Sequence, residues 1–526
     1  MGTGVEMSMS IFKLKYLIYV LIVINILLSS RWIFDGNLFF HTDIARDFLL
    51  MVDIVDNKHL VLIGPRSGAI PGLFHGPLWI YLNLPAFIIG QGNPVFVAWF
   101  WVALYISSLF IIYYVGKKMF GEEEGLLSAL LLSSITALQV RSLFNPYGAL
   151  LLSPLYFYTF IKYLKDKNLA ILVVSLFILG LIIQFQMAFG VPVLILTLPF
   201  LVFYLIKIKR LSHIVSIFIL IIPFSTYILF EMRNNFLQIK SVIGYLQGIQ
   251  SHGKLGISLP DLIMLRLKES IIDGIGIITQ NNIYLTLAFV ILLVSMTYFI
   301  YKKNNLKIRS YFLVIYFYLG FWLLTIFFKG PVWNYYYLPF IPLLILLFVS
   351  FKNEMNKIIF YTIFFSIYAI NLTNVIKDVS TYNSNPLEQD VSTWKFNKLV
   401  AEKVFAGSEN LFGYFIFTPD LYGYSPSFAM DYYQKRNGKK AYSFKKEAVT
   451  YLIIAPPPEY GRDPNSIWYQ KNINSHSWKS NDVRINKKPD DINSFKNGFV
   501  IEKYKLSNEE VKVEPNKYLI NGIFFR

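Results

Sequence analysis

Long apolar runs, each about the length of a membrane-spanning helix, alternate with short loops rich in Lys and Arg along most of this chain of 526 residues. A helix needs roughly 20 apolar residues to cross a bilayer, and we place about 11 spans. They lie at residues 13–33, 94–115, 124–140, 147–164, 168–186, 190–206, 212–230, 281–301, 310–328, 336–351 and 357–377. Hydrophobic residues make up 55% of the chain and charged residues only 15%, which excludes a soluble enzyme. The sequence predicts an α-helical polytopic membrane protein.

The positions of the cations predict how these spans are oriented, because cytoplasmic loops retain Lys and Arg during insertion. Lys13 and Lys15 precede the first span, so we expect a cytoplasmic N-terminus. Counting spans from there places the later basic clusters on the same side. The apolar stretch at 78–90 would break this parity if it spanned, so we expect it to lie at the outer interface. The predicted location is the plasma (inner) membrane, crossed many times.

Under this topology three pieces of the chain are exocytoplasmic. They are a first loop at about 34–93, a second loop at about 231–280 and a tail at 378–526, and residues 1–377 form the transmembrane domain. Short strands at 411–417, 449–455 and 498–504 and a helix at 424–436 predict a small soluble α/β domain in the tail. Its residues Asp420, Tyr422, Asp431 and Tyr432 can contact a saccharide, although packing and solvated surface is the favoured interpretation.

Charge and cysteine content narrow the function further. The formal net charge is +17, which we attribute to insertion signals and a basic tail, so no nucleic-acid partner is expected. The chain contains no Cys, so it offers neither disulfides nor thiolate chemistry. The acidic run Glu122-Glu123-Glu124 is expected to be solvated on the cytoplasmic side.

The first loop contains most of the candidate chemistry. Thr42 is the expected N-cap of an amphipathic helix, whose apolar stripe includes Ile44, Phe48, Met51 and Val55. At about 100° per residue, Asp43, Arg46, Asp47 and Leu50 share a strip beside that stripe. Two carboxylates and a guanidinium thus lie on one face. An interfacial helix with an ion pair for solubility is the simpler interpretation of the helix alone.

The sequence after this helix favours a folded site. Gly64-Pro65 and Gly76-Pro77 bracket a segment rich in Gly and Ser, which permits tight turns and close approach of backbones. A plain interfacial helix has no need of such a segment. We expect the loop to close over the helix and form a pocket.

Several segments in this order resemble a known family. They are the acidic helix, Leu78-Trp79-Ile80-Tyr81, Phe144-Asn145-Pro146-Tyr147, Gln184-Phe185-Gln186, Phe230-Glu231-Met232-Arg233-Asn234-Asn235-Phe236 and Trp333-Asn334-Tyr335-Tyr336-Tyr337-Leu338-Pro339. The chain resembles the GT-C membrane glycosyltransferases and is most similar to the family 39 and aminoarabinose-transferase-like branch. The resemblance covers roughly residues 10 to 380 and implies transfer of a sugar from a polyprenyl-phosphate carrier to an exocytoplasmic acceptor.

The resemblance also implies a catalytic acid in the first loop, which is Asp43 by position. Many relatives have two adjacent acids where this chain has Asp43-Ile44, so Asp47 is the candidate for the second role. A charged residue common before the family's Pro-Pro is replaced by His75-Gly76, which leaves the substrate open.

The chemistry assigns roles to the remaining candidates. An acceptor hydroxyl must lose its proton as it attacks, so Asp43 is the predicted general base, with Asp47 as its partner or the alternative base. Cations stabilise a departing phosphate, and Arg suits phosphate best. The candidates for holding the carrier phosphate are Arg46, Arg66, Arg141 and Arg233, and we expect two of them to do so. Such a displacement inverts the anomeric centre.

Other polar and aromatic groups have two interpretations. Tyr336 and its aromatic neighbours can cover the lipid carrier or form an interfacial belt. Gln184 and Gln186 can bind substrate, but hydrogen bonds between helices are favoured. A divalent metal held by Asp43 and His75 is conceivable, yet no tight ligand spacing occurs, so no cofactor is expected to be required.

A polytopic transporter or flippase for lipid-linked sugars is the alternative function. Transporters place ionisable residues near the middle of the membrane, whereas the predicted spans here are almost free of charge. The transferase is therefore favoured, with a glycolipid, a wall polymer or a protein as acceptor. The carrier would be undecaprenyl phosphate in bacteria and dolichyl phosphate in archaea.

Overall fold

The computed structural model describes residues 2–67, 70–208, 211–248, 256–303, 310–328, 330–384, 390–418, 422–456, 475–517 and 519. The chain divides into two compact units. The helical unit comprises Met1–Arg31, Leu60–Asn83 and Phe100–Val379, and the sheet unit comprises Trp32–His59, Leu84–Trp99 and Ser380–Arg526. Residues 34–93, predicted as one loop, therefore contribute to both units.

The longer helices are, in chain order, α1 (Gly2–Ser29), α2 (Thr42–Asn57), α3 (Leu78–Ile89), α4 (Pro94–Met119), α5 (Glu122–Thr136), α6 (Pro146–Asp166), α7 (Leu169–Phe185), α8 (Met187–Ile208), α9 (Ile221–Arg233), α10 (Leu237–Leu246), α11 (Leu259–Glu269), α12 (Ile283–Lys303), α13 (Leu313–Phe327), α14 (Ile341–Ser350), α15 (Lys357–Ser384), α16 (Trp394–Gly407), α17 (Tyr424–Asn437) and α18 (Asn508–Lys512). Short turns of helix are Arg31–Phe34, Ala137–Ser142, Leu211–Val215, Ser216–Leu220, Ser270–Gly274, Ile275–Thr279, Ser310–Phe312, Asn334–Tyr336, Leu338–Phe340, Phe351–Asn353, Ser475–Ser477 and Trp478–Val483.

Each predicted span is mainly helical, with ends that differ by a few residues. In the part of the chain that the structure describes, 6 helices are long and apolar enough to cross a membrane. They are Pro94–Met119, Glu122–Ser142, Ser212–Arg233, Ile283–Lys302, Asn334–Asn353 and Lys357–Ser384. Shorter apolar helices accompany them, so the chain is an integral membrane protein. The count of 11 spans and the orientation of the termini stay predictions.

Small residues and buried hydrogen bonds hold the helical unit together. A Cβ on Gly148 of α6 would lie 2.4 Å from the Phe185 ring of α7, so only glycine permits this approach. Asn25 on α1 donates to Ser133 Oγ on α5 over 2.7 Å. Both side chains are fully buried. Such contacts suit helices surrounded by lipid, because packing and polar pairs supply the association energy there.

The acidic run at the start of α5 corrects one expectation. Glu122 is exposed and pairs with Lys15 on α1. Glu124, by contrast, is only 4% exposed, and its carboxylate lies 2.8 Å from the Nζ of Lys352. Glu123 contacts the same ammonium group at 2.8 Å. The prediction of a solvated run is therefore wrong for Glu124, because its partner Lys352 comes from a distant part of the sequence.

The sheet unit contains a mixed five-stranded sheet. Its strands are β1 (Leu411–Phe417), β2 (Lys440–Ser443), β3 (Val449–Ile454), β4 (Asp491–Ser494) and β5 (Val500–Lys505), in the order β2-β1-β3-β5-β4. Strand β1 pairs in parallel with β2 and β3, while β5 runs antiparallel to β3 and β4. The three strands and the helix predicted in the tail are confirmed. Strand β1 is apolar and buried almost throughout, as expected of a central strand covered on both faces.

Residues before α2 bind the sheet unit through backbone pairing. Phe40 donates its N–H to the carbonyl of Ser392, and Phe39 bridges to Thr393. The Asn37 side chain accepts the N–H of Lys395 in the first turn of α16 over 2.9 Å. Helix α2 then packs on α17 and the aromatic side chains around it. The helix with the candidate acids is thus part of the sheet unit.

Replacement of Lys352 by Met would leave Glu123 and Glu124 without their shared cation. Removing one partner of a buried ion pair costs about 3–5 kcal/mol, so we expect a clear loss of unfolding free energy. Thermal unfolding of the purified protein in nanodiscs measures it. Glu122→Gln is the matched control, because its ion pair is exposed, and its midpoint should stay near that of the wild type. Equal midpoints for both variants would contradict a structural role of the buried cluster.

Candidate functional site

Asp43, Arg46 and Asp47 form one cluster on the first turns of α2, hereafter the acidic cluster. The Arg46 guanidinium lies between the two carboxylates, with Nη1 2.6 Å from Asp43 Oδ1 and Nη2 3.0 Å from Asp47 Oδ1. Its Nε donates to the same Asp47 oxygen over 3.1 Å. The predicted placement of these three side chains on one face is confirmed. Arg46 holds two acids that would otherwise repel each other.

The two acids differ in exposure. The Asp43 side chain is 45% exposed, whereas that of Asp47 is 5% exposed. Asp47 Oδ2 is buried and has no hydrogen-bond partner within the described residues. Burial raises the pKa of Asp47 to about 6, against the opposing effect of Arg46. Asp43 is therefore the acid that solvent can reach, and Asp47 is a buried carboxylate with a raised pKa.

His41 caps α2, where Thr42 was predicted to do so. Thr42 is the first helical residue, and the Nδ1 of His41 accepts the N–H of Asp43 over 3.3 Å. An accepting Nδ1 requires the neutral imidazole. Burial lowers the pKa of His41, which agrees with that state, although Asp43 opposes the shift. The predicted Thr42 cap was wrong because the helix begins one residue earlier than expected, and the His41 ring nitrogen caps it in place of the Thr hydroxyl.

An aromatic cluster holds α2 in the sheet unit. The Phe48 ring lies 5.3 Å from Phe40 and 5.2 Å from Phe428 of α17, measured between centroids. Phe40 also contacts Trp394 at 5.4 Å. Val55, predicted on the buried stripe, is 39% exposed. The Phe48 side chain, directly after Asp47, thus anchors α2 in the sheet unit.

The tail contributes residues beside the acidic cluster that the sequence did not single out. Ser425 Oγ donates to the carbonyl of Phe40 over 2.8 Å. Tyr424 is buried and acts electrostatically on Arg46. Of the tail residues that were singled out, Asp431 pairs with Lys435, Tyr432 packs under Arg436, and Asp420 lies outside the described residues. The local sequence does not predict these contacts, because the residues that meet are almost 400 positions apart.

Arg66 and His75 belong to a β-hairpin-like turn in the helical unit, hereafter the hairpin (64–67 and 70–76). Gly64 donates its N–H to the His75 carbonyl over 2.8 Å, and His75 donates to Pro65 over 2.9 Å. Arg66 bridges to Phe74 and has an exposed side chain. The predicted tight turn with close backbone approach is confirmed.

The hairpin packs on α10 of the second loop. Gln238 Oε1 accepts the N–H of Phe74 over 2.9 Å, and Phe74 meets the Phe230 ring edge-on at 5.7 Å. The buried carboxylate of Glu231 accepts the N–H groups of Gln238 and Ile239, which caps α10. The helical unit therefore joins parts of both predicted loops.

The other predicted residues of the helical unit are in different environments. Arg141 forms a two-point ion pair with Asp378, and Arg233 has an exposed side chain at the end of α9. Tyr336 is buried with its ring 5.0 Å from Tyr335. The roles predicted for Arg66, His75, Arg141, Arg233 and Tyr336 stay predictions.

The two glutamines at the α7–α8 junction behave differently. Gln184 donates to Thr226 Oγ1 on α9 over 3.0 Å, as predicted for an interhelical bond. Gln186 is fully buried, and neither of its amide atoms has a partner within the described residues.

Side chains that could bind a metal ion are not clustered in the described residues. Across the described ranges no group of three or more His, Asp or Glu side chains can hold a metal ion. Independence of a cofactor stays a prediction.

Comparison with known proteins identifies the fold. No family model and no curated protein matches the sequence. The crystal structure of ArnT from Cupriavidus metallidurans in the apo state is similar with a TM-score of 0.57 at 9% identity, covering 94% of this chain and 98% of that chain. The same protein bound to undecaprenyl phosphate gives a TM-score of 0.55 at equal identity and coverage. The predicted GT-C fold with a small sheet domain is confirmed.

A weaker likeness is to the oligosaccharyltransferase of Archaeoglobus fulgidus in complex with Zn and sulfate. Its TM-score is 0.45 at 13% identity, and the match covers 80% of this chain and 62% of that chain.

Gly76→Ala tests the close approach of the hairpin to α7. A Cβ on Gly76 would lie 1.9 Å from Gln184 Oε1, so the hairpin or the glutamine must move. We expect a loss of about 1–3 kcal/mol of unfolding free energy, as for other overpacked sites. Thermal unfolding in nanodiscs measures it, with Gly256→Ala as the control because no atom of the described residues lies within 4 Å of a Cβ there. An unchanged midpoint for Gly76→Ala would contradict the described packing.

Proposed function

We propose that this protein is a membrane glycosyltransferase that transfers a sugar from a polyprenyl-phosphate carrier to an acceptor hydroxyl on the exocytoplasmic face. The observation that carries the proposal is the acidic cluster of α2 in a chain with the ArnT fold. A structure of ArnT contains undecaprenyl phosphate, which supports a polyprenyl phosphate as the carrier. The acceptor is a hydroxyl of a glycolipid, a wall polymer or a protein.

The reaction is a single displacement. The acceptor oxygen attacks the anomeric carbon, its proton passes to a carboxylate, and the bond from that carbon to the phosphate oxygen breaks. The polyprenyl phosphate leaves with the electron pair of that bond. Phosphate needs no protonation to leave, so one base suffices. Attack opposite the leaving group inverts the anomeric configuration.

Asp43 is the proposed general base. Its carboxylate is the more exposed of the two, and Arg46 fixes its orientation through a 2.6 Å contact. Asp47 is the proposed positioning partner, because it holds Arg46 from the buried side through two of its nitrogens.

Arg46 is already bound to both acids, so its proposed role is orientation. Arg141 is likewise paired with Asp378, so phosphate binding is proposed for Arg66 and Arg233, whose side chains are exposed.

Asp43→Asn should abolish transfer while leaving the fold intact. Loss of a general base costs about 10²–10⁴ in rate. Wild type and variant are expressed at matched levels, and polyprenyl-phosphate sugars and envelope glycans are compared by mass spectrometry. The expected result is a glycan that appears only with the wild type and donor that accumulates with the variant. Asp53→Asn is the control, because that carboxylate lies on the same helix, accepts a hydrogen bond from Asn57 and lies near His59.

Equal glycan with wild type and Asp43→Asn would remove Asp43 as the base and leave Asp47 as the candidate. If Asp47→Asn also retains full activity, the proposed function of the acidic cluster fails.

The rate of transfer should depend on pH through Asp47. Its pKa is about 6 in the folded protein, so the carboxylate is charged above that pH and neutral below it. A neutral Asp47 loses its attraction for Arg46, so the rate should fall as the pH drops through about 6. Initial rates of the purified enzyme between pH 4.5 and about 8 measure this limb. Asp47→Asn should lower the rate and remove the limb. If the fall in rate at low pH persists unchanged in Asp47→Asn, another titrating group causes it and the prediction fails.

A further inference from the structure

Helix α10 presents a largely exposed apolar stripe. Ile239, Ile243 and Leu246 are 49%, 47% and 73% exposed. At about 100° per residue, these side chains fall within about 60° of one another along one side of the helix. The helix has 10 residues, so it is about 15 Å long and too short to cross a bilayer. The stripe therefore needs an apolar partner, although α10 is not itself a span.

The opposite side of α10 is packed against the hairpin. Gln238 Oε1 accepts the N–H of Phe74 over 2.9 Å. Ser241 lies so close to Gly72 that a Cβ on that glycine would clash with its side chain. Tyr245, one turn further along the same side, is buried. One side of the helix is thus fixed to protein, and the apolar stripe faces away from that contact.

The first turn of α10 is locked to the last turn of α9. The Glu231 carboxylate on α9 accepts the N–H groups of Gln238 and Ile239 over 3.1 Å and 3.2 Å. Between the two helices, Asn235 and Phe236 adopt positive φ of +53° and +58°, so the helix cannot continue and the chain changes direction. Helix α10 therefore begins at the level at which α9 ends.

The end of α9 is the end of an apolar segment that is long enough to cross a membrane, Ser212–Arg233. Exposed apolar side chains continue from this segment into the turn, with Met232 68% exposed and Phe236 52% exposed. The stripe of α10 follows directly after them. Lys240 is exposed and lies about 100° round the helix from Ile239, at the border of the stripe. A cation in this place suits the phosphates of a lipid surface.

We propose that α10 is an interfacial helix whose apolar stripe is immersed in the bilayer leaflet at which α9 ends. Helices of this kind place their apolar side about 5–10 Å into the boundary between headgroups and acyl chains. Because its other side is packed on the hairpin, α10 fixes the hairpin at the level of the lipid headgroups. The phosphate of a polyprenyl phosphate lies at that level, where the hairpin residue Arg66 can bind it, and this last step rests on the proposed function.

Spin labelling tests the interface directly, because the chain contains no Cys and a single one can be introduced. Three matched variants each carry one nitroxide. They are Ile243→Cys on the stripe, Ile291→Cys in the middle of α12 and Ile492→Cys on β4, at side chains 47%, 65% and 54% exposed. Power-saturation EPR of the full chain in phospholipid nanodiscs then compares collisions with oxygen, which concentrates in lipid, and with a nickel chelate, which stays in water.

The label at Ile243 should collide mainly with oxygen and lie at a depth of about 5–10 Å. The label at Ile291 should lie deeper, and the label at Ile492 should collide mainly with the nickel chelate. If the chelate reaches the label at Ile243 as readily as the one at Ile492, the stripe faces water and the proposal is overturned. A label at Ile243 that is immobilised and shielded from both reagents also overturns it, because protein then covers the stripe.

Turnover separates this inference from the proposed function. Ile243→Asp places a charge on the stripe, so α10 and the hairpin should move toward water. We expect a raised KM for the polyprenyl-phosphate donor and a smaller change in kcat, while the control Ile492→Asp keeps wild-type values. An unchanged KM contradicts the effect of α10 on the hairpin. If Asp43→Asn and Asp47→Asn turn over normally while the label at Ile243 lies in lipid, the interfacial helix stands and the proposed catalytic cluster fails.

Discussion

Arg46 between Asp43 and Asp47 is the interaction on which the candidate site depends. Two carboxylates four residues apart on a helix repel, and one of them here is buried, so neither would keep its place without a cation. Arg46 contacts both through three of its nitrogens. The helix that presents them is in turn anchored by Phe48, which packs on Phe428. A buried charge pair and an aromatic cluster thus fix an exposed acid in one orientation.

The helical unit is largely apolar, and it also depends on a few specific contacts. Its helices are apolar on most faces, so specificity comes from a few buried polar contacts and glycines. Lys352 neutralises two glutamates, and Arg141 pairs with Asp378. Gly76 permits the hairpin to touch Gln184. Each of these contacts joins segments distant in sequence, and each can be tested by a single substitution.

Hydropathy predicted the apolar helices, because a long apolar run needs only length to become a helix in a bilayer. That all 11 cross the membrane stays a prediction. Helical periodicity likewise placed Asp43, Arg46 and Asp47 together, and the strands of the tail followed from short apolar runs. The failures involve distant partners or unusual caps. Glu124 is buried because a lysine and Asn353, 229 residues away, reach it. His41 caps the helix where Thr42 was expected to do so. The pairing of residues 39–40 with 392–393 could not be predicted from the local sequence.

The anomeric configuration of the product tests the central claim most directly. Purified protein in nanodiscs would be given a polyprenyl-phosphate sugar of known configuration and an acceptor, and the new glycosidic bond assigned by NMR from its C1–H1 coupling. Direct displacement with Asp43 as base predicts a product of the opposite configuration to the donor. A product that keeps the donor's configuration would contradict it, because a single displacement with attack opposite the leaving group always inverts that carbon.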